Sequence, residues 1–154
     1  KPSLVLGNGR PFFVKLQNPH KRKLRLTSKN FNSLKINNLK IVSDSPKKPL
    51  KFTSSIKMRI STESVIEIKN LKKLKDLTNS PVVVYDVSGK RSEKIISSVK
   101  YKKTTQNEFS LFLKADGGLP IKRFVNGDNV SPGVSSIIDN SCKCLEFDFL
   151  DIYV

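Results

Sequence analysis

Side chains that could carry out acid–base, nucleophilic or metal chemistry are scarce in this sequence. Its 154 residues include one histidine, His20, and two cysteines, Cys142 and Cys144. A hydrolytic triad needs a histidine between a nucleophile and a carboxylate, and no serine and aspartate near His20 have that arrangement. A zinc site needs four ligands, and His20 lies far along the chain from both cysteines. The sequence therefore predicts no metal site.

Other candidate groups have a structural interpretation. Gly7-Asn8-Gly9 is too short for a phosphate-binding loop and is typical of a tight turn. Asp148 and Asp151 are three residues apart in a segment that is patterned as a strand. Their side chains should face opposite ways, and we expect ordinary solvated acids. Cys142 and Cys144 would share one face of the same strand, where a disulfide between them would be strained, so we expect reduced, structural thiols.

The charge of the chain is large and unevenly distributed. The formal net charge is +16, from 29 Lys plus Arg against 13 Asp plus Glu. Residues 1–62 hold 15 basic residues and one acid, Asp44 (+14), whereas residues 63–154 hold 14 basic and 12 acidic residues (+2). A biased composition, with 23 Lys to 6 Arg, would spread the lysines evenly. The asymmetry instead indicates a surface for a polyanion such as a nucleic acid.

Hydrophobic patterning predicts one α+β domain over residues 1–154, with a predominantly antiparallel sheet and a few short helices. No apolar run approaches the ~20 residues that span a bilayer, so we expect no membrane partner. Alternation and β-branching predict strands at residues 39–42, 52–60, 82–85, 95–101, 109–113 and 144–154, and a strand–turn–strand hairpin at residues 4–16. Helical spacing is found at Phe31 and Leu34 and at residues 134–138. It is also found at residues 64–77, which begin with a capping box at Ser64–Glu67. Residues 119–124 fit a short helix or a strand.

Four blocks of sequence carry more information together than any of them does alone. They are Leu6-Gly-Asn-Gly-Arg-Pro-Phe12, Gly117-Gly-Leu-Pro-Ile-Lys-Arg-Phe-Val-Asn-Gly-Asp128, Ser131-Pro-Gly-Val-Ser-Ser136, and Cys144 with Phe147-Asp-Phe-Leu150. In order and spacing they resemble the archaeal and eukaryotic tRNA pseudouridine synthase family that acts on the T-arm. The corresponding family segments read L-G-x-G-R-P-F, G-G-L-Y-I-K-R-F-I-S-G-D, P-S-x-S-x-x-L and C-x-x-L-D-V-L-x-V.

The resemblance implies a pseudouridine synthase-like fold and a cofactor-independent isomerisation of uridine in tRNA or another structured RNA. The target uridine would be flipped out of its stack, freed from the ribose with the help of an aspartate, rotated and reattached through carbon. In the family that aspartate directly precedes the L-G-x-G-R-P-F segment, which places its equivalent just before Lys1. The chain therefore resembles the C-terminal portion of a catalytic domain, and we expect it to be inactive alone.

The resemblance also assigns roles to particular residues. Lys122 matches the basic residue that keeps the catalytic aspartate ionised, and Met58 aligns with the family's active-site tyrosine. Pro120 replaces a second tyrosine, and residues 80–91 lack the His and first Arg of the family's T-P-x-R-V-x-H-R-R segment. The residues expected to contact RNA are Arg10, Lys21, Arg22, Lys23, Arg25, Arg91 and Arg123.

Two alternatives remain open from the sequence. Met58, Pro120 and the altered segment 80–91 would also fit a non-catalytic RNA-binding relative, such as a structural component of a ribonucleoprotein. An unrelated basic module would remain if the four blocks matched by chance. The cluster His20–Arg25 could be a nuclear import signal, although contact with phosphates is favoured. In each case we expect an intracellular protein, cytoplasmic or nuclear.

Overall fold

The computed structural model describes residues 2–25 and 27–154, which form two compact units. One unit combines the N-terminal segment up to Arg10 with Lys51–Val154, and the other is Pro11–Leu50. The strands are β1 (Lys29–Phe31), β2 (Leu34–Ile36), β3 (Thr53–Thr62), β4 (Pro81–Tyr85), β5 (Arg91–Lys103), β6 (Glu108–Asp116), β7 (Val130–Ser131) and β8 (Cys142–Tyr153). The helices are α1 (Ile68–Leu71), a 3₁₀ helix (Lys72–Leu77), α2 (Ile121–Asn126) and α3 (Val134–Ile137). That residues 1–154 are one portion of a catalytic domain stays a prediction.

A six-stranded antiparallel sheet forms the larger unit, with the strand order β7-β4-β5-β6-β3-β8. Alternation along β3 decides its two faces, because Ile56, Met58 and Ile60 are buried while Lys57 and Arg59 are exposed. β5 and β6 pair across the short connection at residues 104–107. The α+β prediction with a mainly antiparallel sheet is confirmed.

Short helices cover the apolar face of this sheet. Leu71, Leu74 and Leu77 are buried, as their helical spacing predicted. The predicted capping box is wrong: Glu67 is the N-cap of α1 and its side chain makes no capping hydrogen bond. Residues 121–126 are helical rather than extended, and α2 ends at Gly127, whose φ of 83° is the left-handed conformation that glycine adopts most easily.

Three predicted elements near the N-terminus are wrong. Residues 4–16 form no hairpin; the turn at Gly7 exists, but Val5 instead makes a parallel bridge to Phe149 of β8. Phe31 and Leu34 face each other across the β1–β2 hairpin instead of lying on a helix. Residues 39–42 form no strand, because among the described residues no neighbouring strand pairs with them.

The two cysteines behave as expected from their spacing. Cys142 and Cys144 are both buried and free, and both face the core from β8. Among the described residues, no three His, Cys, Asp or Glu side chains form a group that could hold a metal ion. Within the same residues, no helix is long and apolar enough to cross a membrane.

The core packing predicts a difference between two phenylalanines. Phe109 on β6 is 0% exposed, whereas Phe13 is 51% exposed. We expect Phe109→Ala to lower the free energy of unfolding by about 3–5 kcal/mol, because it removes buried contacts and leaves a cavity. Phe13→Ala is the matched control and should change it by less than about 0.5 kcal/mol. Urea denaturation followed by circular dichroism measures both, and equal losses would contradict the packing described here.

Candidate active site

Strand β8 turns a row of side chains toward the helices because its pairing with β3 is interrupted twice. The register shifts leave Leu145 and Leu150 without partners in β3, and each shift reverses which face the following residues occupy. Cys144, Phe147 and Phe149 therefore all face the core side, opposite Ile60, Met58 and Ile56 of β3 respectively. We call these three side chains the β8 inner row.

Lys122 lies on α2, the helix that packs against β8. The Lys122 side chain is exposed, and α2 packs against β8. Burial raises the pKa of the Cys144 thiol, and the positive charge of Lys122 acts in the opposite direction. Glu146 raises the same pKa further. Lys122 thus lies on a helix that packs against β8, and its positive charge acts on one member of the inner row.

Arg10 lies at the Phe149 end of the inner row. Its guanidinium sits 5.7 Å from the centre of the Phe149 ring, within the range of a cation–π contact. Phe149 and Phe147 meet edge to face, with ring centroids 5.9 Å apart. Both rings are only partly buried. Two partly buried aromatic rings and the Arg10 guanidinium thus share one face of β8, against which the helix of Lys122 packs. This arrangement could hold a planar, uncharged base beside a phosphate.

The two phenylalanines are site candidates that the sequence analysis missed. They lie inside the block Phe147-Asp-Phe-Leu150, which served only to establish the family resemblance. The useful signal was the presence of two aromatic residues at i and i+2 in a strand, because that spacing puts both rings on one face. Which face they occupy depends on the register shift at Leu145, and the sequence pattern does not show it.

Met58 lies on this same face, on the neighbouring strand β3. It pairs with Phe147 across β3 and β8, and its side chain is 1% exposed. The thioether can pack beside the Phe147 ring, and it has no titratable proton to exchange with a base. Met58 is therefore part of the packed core. Whether it contacts a substrate stays a prediction.

Arg91 on β5 and Arg123 on α2 both lie beside Tyr85 at the end of β4. The Arg123 guanidinium donates hydrogen bonds to the backbone carbonyls of Tyr85, Asp128 and Asn129, and so ties α2 to β4. Arg91 forms a 2.6 Å ion pair with Glu93, which raises the pKa of the guanidinium further. Arg123 thus has a structural role that the sequence did not indicate. RNA contact by either arginine stays a prediction.

The remaining predicted RNA contacts, Lys21, Arg22, Lys23 and Arg25, belong to the smaller unit. All four are exposed. Residues 11–50 contain ten Lys or Arg and one acid, Asp44, so this unit carries a net charge of +9. Exposed aromatic rings accompany the charge, and the Lys29 ammonium lies 4.6 Å from the Phe31 ring centre. This unit presents cations and aromatic rings without the acids that would neutralise them.

The expectation for Asp148 and Asp151 is wrong in two respects. The register shift at Leu150 puts both on the same face of β8, since they pair with Lys57 and Ser55, two residues apart in β3. Neither acid is merely solvated. Asp148 Oδ1 accepts a hydrogen bond from the Leu4 N–H, and Asp151 Oδ1 accepts one from the Asn8 N–H, each at 2.9 Å.

Comparison with protein families supplies an independent test of the four sequence blocks. The model of the family described as Pus10, C-terminal, matches residues 3–153. The chain belongs to this family. It is 65% identical over 154 residues to a protein of Nitrosopumilus maritimus named tRNA pseudouridine synthase Pus10, and covers 40% of that protein. Proteins of the same name from Cenarchaeum symbiosum and Xenopus laevis are 35% and 28% identical to it, and it covers 38% and 32% of their lengths.

Membership of the family confirms the resemblance and excludes an unrelated basic module. The chain spans about 40% of the length of the relatives from Nitrosopumilus maritimus and Cenarchaeum symbiosum. Among solved structures it is similar to a Cbf5-Nop10-Gar1 complex, with a TM-score of 0.53 at 6% identity, over 63% of this chain and 29% of that one. An H/ACA RNP bound to a substrate RNA gives a TM-score of 0.50 at 5% identity. These likenesses support the fold.

The proximity of Lys122 to Cys144 predicts a selective change in thiol titration. Burial raises the pKa of Cys142 from 9.0 to about 11 and also raises that of Cys144, where Lys122 opposes the effect. Lys122→Ala should therefore raise the pKa of Cys144 and leave that of Cys142, the internal control, unchanged. A ¹³Cβ-cysteine NMR titration measures both, and an unchanged Cys144 would contradict the placement of Lys122.

The same two thiols predict the direction of stability with pH. Because their pKa is raised on folding, the folded protein holds these protons more tightly than the unfolded chain does. The stabilisation is fully present below the unfolded pKa of 9.0 and is lost as pH rises toward about 11 for Cys142. Cys142→Ala and Cys144→Ala together should flatten the alkaline fall in the denaturation midpoint. An unchanged alkaline limb would show that the thiols do not contribute.

Proposed function

We propose that this chain provides the RNA-binding surface and one side of the active site of a tRNA pseudouridine synthase. The observation that carries the proposal is the β8 inner row, where the Arg10 guanidinium contacts Phe149 and Phe149 contacts Phe147. The charge of Lys122, on the helix packed against β8, acts on Cys144 of the same row. Its family membership and the names of its archaeal and Xenopus laevis relatives support the same reaction. An RNA-modifying role also implies an intracellular protein.

The proposed chemistry needs no cofactor, because the uracil leaves C1′ of the ribose and returns to it. The C1′–N1 bond of uridine breaks, the uracil ring turns, and a C1′–C5 bond forms. C5 gives up its proton and N1 takes one up, so the product is an isomer of uridine. A carboxylate assists the breakage, and the family resemblance places it N-terminal to Leu6. Lys122 would keep that carboxylate ionised, since a neighbouring cation favours the charged form.

The inner row would bind the uracil ring during the isomerisation. A flipped uracil needs a surface that replaces the stacking it loses, and aromatic rings supply about 1–3 kcal/mol for each stacked base. Phe147 and Phe149 are accessible enough to provide one. The Arg10 guanidinium, exposed above Phe149, can reach a phosphate beside the flipped nucleotide.

The smaller unit would contribute to holding the RNA. Its net charge of +9 over residues 11–50 and its exposed cluster Lys21–Arg25 suit the phosphate backbone of a folded RNA. We propose tRNA, or another structured RNA, as the substrate.

The assignment of Lys122 predicts a loss of turnover without a loss of folding. In the full-length protein that contains this sequence, Lys122→Ala should lower the rate of pseudouridine formation at least about 100-fold, because the catalytic carboxylate loses its ion pair. Lys122→Arg keeps the charge and should retain part of the activity. Lys143→Ala, an exposed lysine on the opposite face of β8, is the matched control and should be near wild type. Normal turnover in Lys122→Ala would remove this residue from the site.

The charge of the smaller unit predicts strongly salt-dependent RNA binding. Reversing Lys21, Arg22 and Lys23 to Glu should weaken binding and reduce the slope of log Kd against log salt by about 2, because up to three phosphate contacts are lost. Reversing Lys72, Lys73 and Lys90, which changes the net charge equally, is the control and should reduce the slope much less. Equal effects from the two triple variants would mean that only the total charge matters.

A non-catalytic RNA-binding relative is the second candidate, and the burial of Met58 favours it. A thioether stands at the family's tyrosine position and cannot exchange a proton. The two candidates differ in one assay. RNA binding without any pseudouridine formation by the full-length protein, across tRNA substrates, would support the second candidate and reject the first.

A further inference from the structure

The N-terminal segment Leu4–Arg10 lies along the free edge of β8. Leu6 N–H donates to the Phe149 carbonyl at 2.8 Å, and Phe149 N–H donates to the Leu4 carbonyl at 2.9 Å. These two bonds flank the parallel bridge between Val5 and Phe149. Backbone bonds of this kind fit any side chains, so by themselves they do not specify where along the edge the segment should stop.

Two carboxylates supply that specificity. Asp148 and Asp151 lie on the outer face of β8, on either side of Phe149 and Leu150, and accept from the N–H groups of Leu4 and Asn8. Asp151 Oδ1 also accepts from its neighbour Ile152 N–H at 2.9 Å. If the N-terminal segment shifted by one residue along β8, a carboxylate would face a backbone carbonyl in place of an N–H donor. The loss of that hydrogen bond would destabilise the shifted register. The two acids therefore hold one register.

Gly7 fits this arrangement and no larger residue does. Its φ is +64°, and a Cβ atom placed there would lie 2.5 Å from Asp151 Oδ1 and 2.8 Å from the Leu150 carbonyl oxygen. The turn at Gly7 is closed by a 3.3 Å hydrogen bond from the Gly9 N–H to the Leu6 carbonyl. The direction in which the chain leaves β8 toward Arg10 is set by this turn.

We propose that Asp151 and Asp148 are positioning residues for RNA binding. They fix the register of Leu4–Asn8 on β8, and through the Gly7 turn they place the Arg10 guanidinium over Phe149, where it contacts a phosphate of the substrate RNA. The inference rests on the proposed function in assigning that RNA to the inner row. It explains why two sequence blocks more than 130 residues apart, at Leu6–Phe12 and Phe147–Leu150, are joined in the fold.

A double-mutant cycle on RNA affinity tests this positioning role in the full-length protein. Arg10→Ala should weaken binding about tenfold, the loss expected for one charge-assisted contact. Asp151→Ala should weaken it by a similar factor, and the double variant should be no weaker than either single one. Asp151→Asn keeps an acceptor oxygen and should restore most of the affinity. Asp116→Ala removes a comparable carboxylate that accepts from Ile95 N–H, away from β8, and should have no effect.

Gly7→Ala should displace the Leu4–Asn8 segment from β8 by a second route, since its Cβ atom would clash with Asp151 and Leu150. It should weaken RNA binding like Asp151→Ala and speed amide hydrogen exchange at Leu6 and Asn8, while the exchange of β5 and β6 amides stays unchanged. The positioning role would be overturned if Asp151→Ala left the affinity unchanged, if Arg10→Ala did so, or if the two losses were additive. Absence of pseudouridine formation in the wild type would reject the proposed reaction. The double-mutant cycle would still test the positioning role, because the cycle measures RNA affinity alone.

Discussion

The two register shifts between β3 and β8 determine almost everything that the larger unit can do. Without an extra residue at Leu145, strict alternation from the buried Cys144 would turn Glu146 and Asp148 into the core and Phe147 and Phe149 outward. A buried carboxylate without a partner costs several kcal/mol, so the sheet could not tolerate that register. With the shift, the aromatic rings pack against the core side of the sheet. The second shift, at Leu150, brings Asp148 and Asp151 onto one face, where both accept from the N-terminal segment.

The site thus depends on pieces of chain that are distant in sequence and have little intrinsic stability. Residues 4–10 form no strand or helix of their own, and α2 has only six residues, too few to be stable alone. Each is held by β8: α2 through the buried Ile121, Phe124 and Val125, and the N-terminal segment through Asp148, Phe149 and Asp151. The long pairing of β8 with β3 supplies the rigid support that a positioned site requires.

Sequence patterning predicted the elements in which the spacing of apolar residues matches the spacing of buried positions. Ile56, Met58 and Ile60 on β3 and Leu71, Leu74 and Leu77 in the helical segment were placed correctly for this reason. The pattern failed where tertiary contacts decide the outcome. Nothing local in residues 4–16 indicates that Val5 pairs with Phe149, and the roles of Asp148 and Asp151 depend on a one-residue shift. Lys122 was found through family resemblance, because an exposed lysine on a short helix has no pattern of its own. Phe147 and Phe149 were not identified, because the face that they occupy depends on the strand register.

The central claim is that the target uridine binds against the inner row of β8, and photocrosslinking tests it most directly. The full-length protein would be irradiated with tRNA transcribed with 5-iodouridine in place of uridine, which avoids having to know the target position. Crosslinked peptides would then be mapped by mass spectrometry. The account predicts a crosslink to Phe147 or Phe149 that is strongly reduced when the RNA contains uridine only in its paired stems. Crosslinks confined to Phe112, on the opposite face of the sheet, or to the phenylalanines of residues 11–50 would contradict it.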